Sequence, residues 1–173
     1  MTVAYRGASA PDAEAIAALF ADSFTATFGH LYRPQDLTDF LATMTPDRFR
    51  SEIADPRFQF RLAEAGGELA GYIKLGPPDL PVETPPGTIQ LYQIYVIAPW
   101  QGAGIARALM DWTLATAAEN QARHIQLSVY IDNHRARRFY ERYGFAAVGR
   151  YHFMVGAHAD EDLVMRRTLS DTE

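Results

Sequence analysis

The chain contains no cysteine. Disulfides, thiolate metal sites and a cysteine nucleophile are therefore excluded, and any acyl transfer must proceed without an acyl-cysteine intermediate. No apolar run approaches the roughly 20 residues that a membrane helix needs, so no membrane partner is expected. The start, MTVAYRGASAPDAEAI, has no basic stretch followed by an apolar one. No signal peptide is expected, and the expected compartment is the cytoplasm. Basic residues are in deficit: 16 Lys and Arg against 21 Asp and Glu leave a net charge of −5. That argues against a nucleic-acid partner, which calls for a basic footprint, and is compatible with a cationic substrate. The histidines (30, 124, 134, 152, 158) show no H-E-x-x-H spacing, and no metal is expected. Neither G-x-x-x-x-G-K-[ST] nor G-x-S-x-G occurs, which excludes a P-loop and a serine nucleophile elbow.

What is present is an ordinary globular balance, 48% hydrophobic and 21% charged over 173 residues. It is expected to form one domain over residues 1–173. Residues 2–7 read as a strand. Ser9-Ala10-Pro11-Asp12 reads as a capped helix start, followed by Ile16, Leu19, Phe20 and Phe24 at helical spacing. Further helices are expected after Pro34 and after Thr45-Pro46, the latter ending before Asp55-Pro56. The period then drops to two. Strands at 57–65 and 68–76 flank Gly66-Gly67, the mark of a hairpin. Strands follow at 88–97, 124–130, 145–155 and 160–169, with helices at 103–119 and 134–143. Gly144 reads as a left-handed stop. The fold class is α/β (α+β), and a Pro-rich loop at 77–87 borders a site.

The segment that carries chemistry is Ile94-Tyr95-Val96-Ile97-Ala98-Pro99-Trp100-Gln101-Gly102-Ala103-Gly104-Ile105-Ala106-Arg107. A strand runs into a small-residue turn that opens a helix. Backbone N–H groups there converge and, with the helix dipole, form an anion site. Gly102 and Gly104 leave room for a phosphate, and Arg107 can add positive charge. A plain connecting turn is the bland alternative. The dinucleotide fingerprint G-x-G-x-x-G fails, because its third glycine position is Arg107.

Gln101, Gly104 and Ala106 resemble the [RQ]-x-x-G-x-[GA] signature of GNAT N-acetyltransferases. Downstream, Asn133-His134-Arg135-Ala136-Arg137-Arg138-Phe139-Tyr140-Glu141-Arg142-Tyr143-Gly144-Phe145 resembles that family's N-x-x-A-x-x-[FL]-Y-x-x-x-G-F. The segments SFTATF and AGYIKL, and an ending with Gly156, Asp162, Leu163, Val164 and Met165, are similar to the PaiA-like branch, known for polyamine acetylation.

The resemblance implies a mixed, mostly antiparallel, twisted sheet of six to seven strands, with splayed central strands holding CoA. It implies acetyl-CoA as cosubstrate. Backbone of Ile94, Tyr95 and Val96 would meet the pantetheine arm; Gln101, Gly102, Ala103, Gly104, Ile105, Ala106 and Arg107 would hold the pyrophosphate; Asn133 would bond the arm. Tyr140 would protonate the departing thiolate, and a backbone N–H of the Ile94–Val96 strand would meet the oxyanion. Asn133 reads equally as a helix N-cap, and Tyr140 as a core aromatic beside Phe139.

The implied reaction is direct transfer to a primary amine in a ternary complex, with a spermidine- or spermine-like polyamine as the leading acceptor. The alternatives are a protein or peptide N-terminal acetyltransferase, or a CoA-binding regulator with little catalysis. A homodimer is implied by the resemblance alone. The general base is open. Relatives tend to carry glutamate where Gln90 and Tyr92 stand here, which leaves a water relay or a loop carboxylate such as Glu83 or Asp36. Tyr92, Tyr95, Phe58 and Phe60 read as core, and Arg135, Arg137, Arg138 and Arg142 as a solvated helix face.

Overall fold

The computed structural model describes residues 2–169. Seven strands form one sheet: β1 (Val3–Gly7), β2 (Gln59–Ala65), β3 (Glu68–Gly76), β4 (Thr88–Val96), β5 (His124–Tyr130), β6 (Ala146–Val155) and β7 (His158–Thr168), in the spatial order β1-β2-β3-β4-β5-β7-β6. Five helices accompany them: α1 (Ala13–Phe28), α2 (Pro34–Leu41), α3 (Pro46–Ala54), α4 (Ile105–Glu119) and α5 (His134–Arg142). Every neighbouring pair of strands is antiparallel except β4 and β5.

Local chemistry explains the boundaries. Thr45 caps α3, accepting a hydrogen bond from the Arg48 N–H at 3.1 Å. Gly66 and Gly67 turn β2 into β3 with φ of 61° and 80°, values a primed hairpin turn requires and most side chains resist. Several boundaries shift by one or two residues from the sequence reading, β2 starting at Gln59 rather than 57, and two of the shifts have a local cause. Helix α4 starts at Ile105 rather than 103, because Ala98–Trp100 winds into a 3-10 turn and Gly102 and Gly104 take left-handed φ. Strand β7 starts at His158 rather than 160, because Gly156-Ala157 suffice to return the chain, pairing Val155 with His158.

The period-two pattern sorts side chains onto two faces. On one, Phe60, Leu62 and Tyr72 pack with Ile16, Phe20 and Phe24 of α1 and Phe49 of α3. On the other, Ile73, Leu75 and Leu91 pack with Ile105, Leu109 and Met110 of α4, with Leu163 and Met165 of β7, and with Tyr140 and Phe145. Covered on both faces, β3 is buried from Ala70 to Gly76.

The centre of the sheet is irregular in two places. Lys74 pairs with Gln93 but Leu75 pairs with Leu91, so Tyr92 is an extra residue, a β-bulge in β4. Strand β5 pairs with β4 only where Thr88–Gln90 meets His124–Gln126. Beyond that point β4 stays on β3 as far as Val96 and β5 stays on β7 as far as Tyr130. The two strands part, and each leaves an unpaired backbone edge facing the gap.

Candidate active site

A cavity of about 1020 Å³ fills the gap between the diverging halves of β4 and β5. Ile94, Tyr95, Val96, Gln101, Gly102, Gly104, Ile105, Ala106, Arg107, Asn133 and Tyr140 all line it. Among the residues that the resemblance assigns to the cofactor or to catalysis, Ala103 alone does not. It is exposed, and its N–H is drawn back into the turn toward the Trp100 carbonyl at 3.4 Å.

At one end the cavity is built for an anion. Gly102 and Gly104 have φ of 81° and 86°, and nothing lies within 4 Å of the position a Cβ would take at either. The first N–H of α4 to find a helical carbonyl is that of Ala108, bonded to Gly104 O at 3.0 Å. Among the described residues no side chain caps this helix, so the N–H groups of Ile105, Ala106 and Arg107 remain free for a ligand. Gln101 bridges the neighbouring elements: its amide donates to Val96 O at 3.0 Å and accepts from Arg135 Nη1 at 3.2 Å. Arg107, Arg135 and Arg142 all reach the cavity. Arg135 and Arg142 are thus more than a solvated helix face. Asn133 caps α5, accepting from the Ala136 N–H at 3.3 Å, and also borders the cavity.

Tyr140 is buried against Phe139 and Phe145 in edge-on contacts. Its hydroxyl has no hydrogen-bond partner among the described residues. Burial raises its pKa, so it keeps its proton at neutral pH.

The other end is acidic and aromatic. Asp39, Asp79, Asp160 and Asp162 line it, beside Phe20, Phe24 and Phe28 of α1. Asp160 and Asp162 lie on the same face of β7, two residues apart. Asp160 accepts from the Tyr32 hydroxyl and lies 3.1 Å from His158 Nε2. Asp162 is 6% exposed. Burial is the main cause of its pKa being pushed up to about 7; Asp160 adds to it and the nearby Ser128 hydroxyl opposes it. Lys74 also borders this region, but it is neutralised by Glu52 and enclosed by Phe49, Phe58 and Tyr92. Tyr92 and Tyr95, read from the sequence as core, line the cavity as well.

The carboxylates considered from the sequence have other tasks. Asp36 accepts the Ala157 N–H at 3.0 Å and pins the β6–β7 turn to α2. Glu83 is exposed, and among the described residues only its backbone carbonyl is engaged, by Arg166. The positions without glutamate serve the Pro-rich loop: Gln90 exchanges hydrogen bonds with Asp79 at 2.8 and 2.9 Å, and the Tyr92 hydroxyl donates to Pro77 O. Asp160 and Asp162 escaped the sequence reading as site residues. The available signal was period-two alternation in a strand whose other face carries Leu163 and Met165.

The model of the Acetyltransferase (GNAT) family matches residues 14–145. An uncharacterized N-acetyltransferase of Mycobacterium tuberculosis (strain H37Rv) is 33% identical over 91% of this chain and 98% of that one. The N-alpha-acetyltransferase RimI of the same strain is 34% identical over 73% of this chain and 76% of its own length. Among solved structures, the PaiA N-acetyltransferase of Thermoplasma acidophilum in complex with coenzyme A superposes with a TM-score of 0.80 at 17% identity, covering 98% of this chain and all of that one. A match over most of the sequence, with the parted β4 and β5 and the open turn before α4, establishes that the chain belongs to the GNAT acetyltransferase family.

Proposed function

We propose that this acetyltransferase transfers the acetyl group of acetyl-CoA directly to the primary amine of a small cationic acceptor, with polyamines the leading class. The observation that carries the reading is the division of charge along one cavity. Arg107, Arg135, Arg142 and free N–H groups lie at the α4 end, and aspartates at the β7 end; the other cations of the lining, Arg48 and Lys74, both meet Glu52. An anionic cosubstrate suits the first and a cationic amine the second. When bound, acetyl-CoA supplies an acetyl group activated as a thioester. The chain's own part is to bind and orient. The free edge of β4 from Ile94 to Val96 aligns the pantetheine arm as an added strand would. The free N–H groups of Ile105, Ala106 and Arg107 hold the pyrophosphate. Tyr140 keeps a proton ready for the leaving sulfur.

Two measurements test this. Isothermal titration with acetyl-CoA is expected to give saturable micromolar binding. In the Gly104→Val variant that affinity is expected to fall about 10- to 100-fold, because a β-branched residue at left-handed φ is strained by about 1–3 kcal/mol and its side chain enters the phosphate cradle. Unchanged affinity in the variant would remove the turn from the binding site. For the acceptor, acetylation of spermidine and spermine is expected to exceed that of amino acids and N-terminal peptides.

The likeness to RimI favours a second reading, N-terminal acetylation of a peptide or protein. Acetylated peptide in mass spectrometry with unmodified polyamines would select it. Saturable binding with no acetylated product from any amine would instead leave a CoA-binding regulator.

A further inference from the structure

The amine must lose a proton before it can attack, and neither Gln90 nor Tyr92 of β4, both committed to the Pro-rich loop, is a base for it. We infer that the carboxylate of Asp162 takes the proton from the acceptor's ammonium group. The inference rests on the acetyltransferase reading above and assigns the base within that site.

The geometry begins with alternation along β7. Leu163 and Met165 point into the core shared with α4 and Tyr140, so Asp160 and Asp162 point to the opposite face, beneath α1 and α2. Asp162 and Tyr140 therefore stand on opposite faces of the sheet. Both line one cavity, and they meet only where β4 and β5 part. Tyr95, on the free stretch of β4, lines the same cavity as both. An acyl group lying along β4 thus has Tyr140 on the side of its sulfur and Asp162 on the side from which an amine arrives.

The surroundings of Asp162 lack what a buried carboxylate needs. Across from it stand Tyr130 of β5 and Tyr151 of β6, its register partners in the sheet. Asp160 on its own strand and Tyr32 ahead of α2 complete that side. The Ser128 hydroxyl is near enough to favour the ionised form, yet its hydrogen bond is shared with Tyr151 at 3.0 Å. The one basic group close by, His158, is engaged by Asp160. Among the described residues no cation lies against Asp162, although it is 6% exposed. Burying such a charge without a partner is costly, and an ammonium group supplies the missing partner. Asp160, held by Tyr32 and His158, stands beside it on the same face of β7.

The same burial tunes proton transfer. An alkylammonium has a pKa near 10.4, and an ordinary aspartate is a poor match for it. Raising the carboxyl from 3.8 to about 7 increases the share of complexes in which the proton has crossed to the carboxylate by about a thousandfold. Each proton then has a destination. One proton of the ammonium passes to Asp162. The freed lone pair forms the N–C bond to the acetyl carbon, and the C–S bond breaks. Tyr140 gives its proton to the sulfur and is recharged by the second proton leaving the nitrogen. Asp162 returns the first to solvent.

Asp162→Asn keeps shape and volume, and its rate is compared with the parent using acetyl-CoA and spermidine, or whichever amine of the panel turns over. In the parent, kcat/KM is expected to rise with a midpoint near pH 7 and stay level to pH 9. In the variant it is expected to be about 10²- to 10⁴-fold lower at pH 7 and to climb tenfold per pH unit, as free amine appears in solution. Acetyl-CoA affinity is expected to be unchanged. A variant that keeps the parent's rate, or that is slower by one fixed factor at every pH, overturns the assignment, since a purely structural residue leaves the slope alone.

A second readout needs no acceptor. In the CoA-bound protein, the carboxyl carbon of Asp162, identified by its absence in the variant, is expected to titrate near pH 7. A midpoint near 4 overturns the inference even if every amine is acetylated. Absence of product from every amine, with a midpoint near 7, sinks the acceptor reading and sustains the titrating carboxylate.

Discussion

Replacing Tyr140 by phenylalanine is expected to lower kcat about 10²- to 10³-fold, the usual contribution of a positioned proton donor. The site makes this a clean substitution. The Tyr140 ring packs against Phe139 and Phe145, and phenylalanine preserves those contacts. Its hydroxyl has no hydrogen-bond partner among the described residues, so removing it strands no other group. Stability is expected to change by less than about 1 kcal/mol. Acetyl-CoA affinity is expected to hold within about twofold, since the phosphate end lies along other residues. Steady-state rates, isothermal titration and a melting curve on the same two preparations separate these effects. A variant as fast as its parent would reduce Tyr140 to a packing residue and favour the regulator.

The second large effect lies beneath the acceptor end. Lys74 is buried on β3, its side chain 2% exposed, and its ammonium meets Glu52 of α3. Arg48 approaches the same carboxylate at 3.5 Å. Desolvation lowers the pKa of Lys74 in spite of Glu52, so burial outweighs the attraction. Glu52→Gln leaves the ammonium buried among Phe49, Phe58 and Tyr92 without its counter-charge. Loss of one member of a buried pair costs about 3–5 kcal/mol, which for a chain of this size lowers Tm by roughly 10 °C. The double variant Glu52→Gln with Lys74→Met removes the stranded charge and is expected to regain most of that loss. A double-mutant cycle by thermal or urea unfolding checks it. Additive losses would show that the pair is not coupled.

Much of the fold was legible because local chemistry and pattern agree. The Thr45-Pro46 start, the Gly66-Gly67 turn and the Gly144 stop each demand one backbone geometry, and each occurs. The anion end of the site was legible for the same reason, since it is made of backbone placed by glycines. The acceptor end was not. Asp160 and Asp162 are far in sequence from Tyr32 and from the α1 aromatics, and only tertiary packing brings them together. Burial, which sets the proton affinity of Asp162, is a property of that assembly and leaves no mark on the motif. Gln90 and Tyr92 were recognised as departures from the family pattern, but their partners in the Pro-rich loop are visible only in three dimensions.

The sheet carries a line of weakness through its middle. Within it, the β1–β4 side and the β5–β7–β6 side are joined by the pairing of Thr88–Gln90 with His124–Gln126. In the proposed binding mode an acetyl-CoA arm laid along β4 would supply rungs that the polypeptide omits, which would make the metabolite a removable part of the architecture as well as a reactant. At a hundred times its dissociation constant, such a part adds about 2.7 kcal/mol to folding stability. Protein without acetyl-CoA is then expected to be the softer species, cut sooner by proteases in a limited digest than the same protein saturated with it.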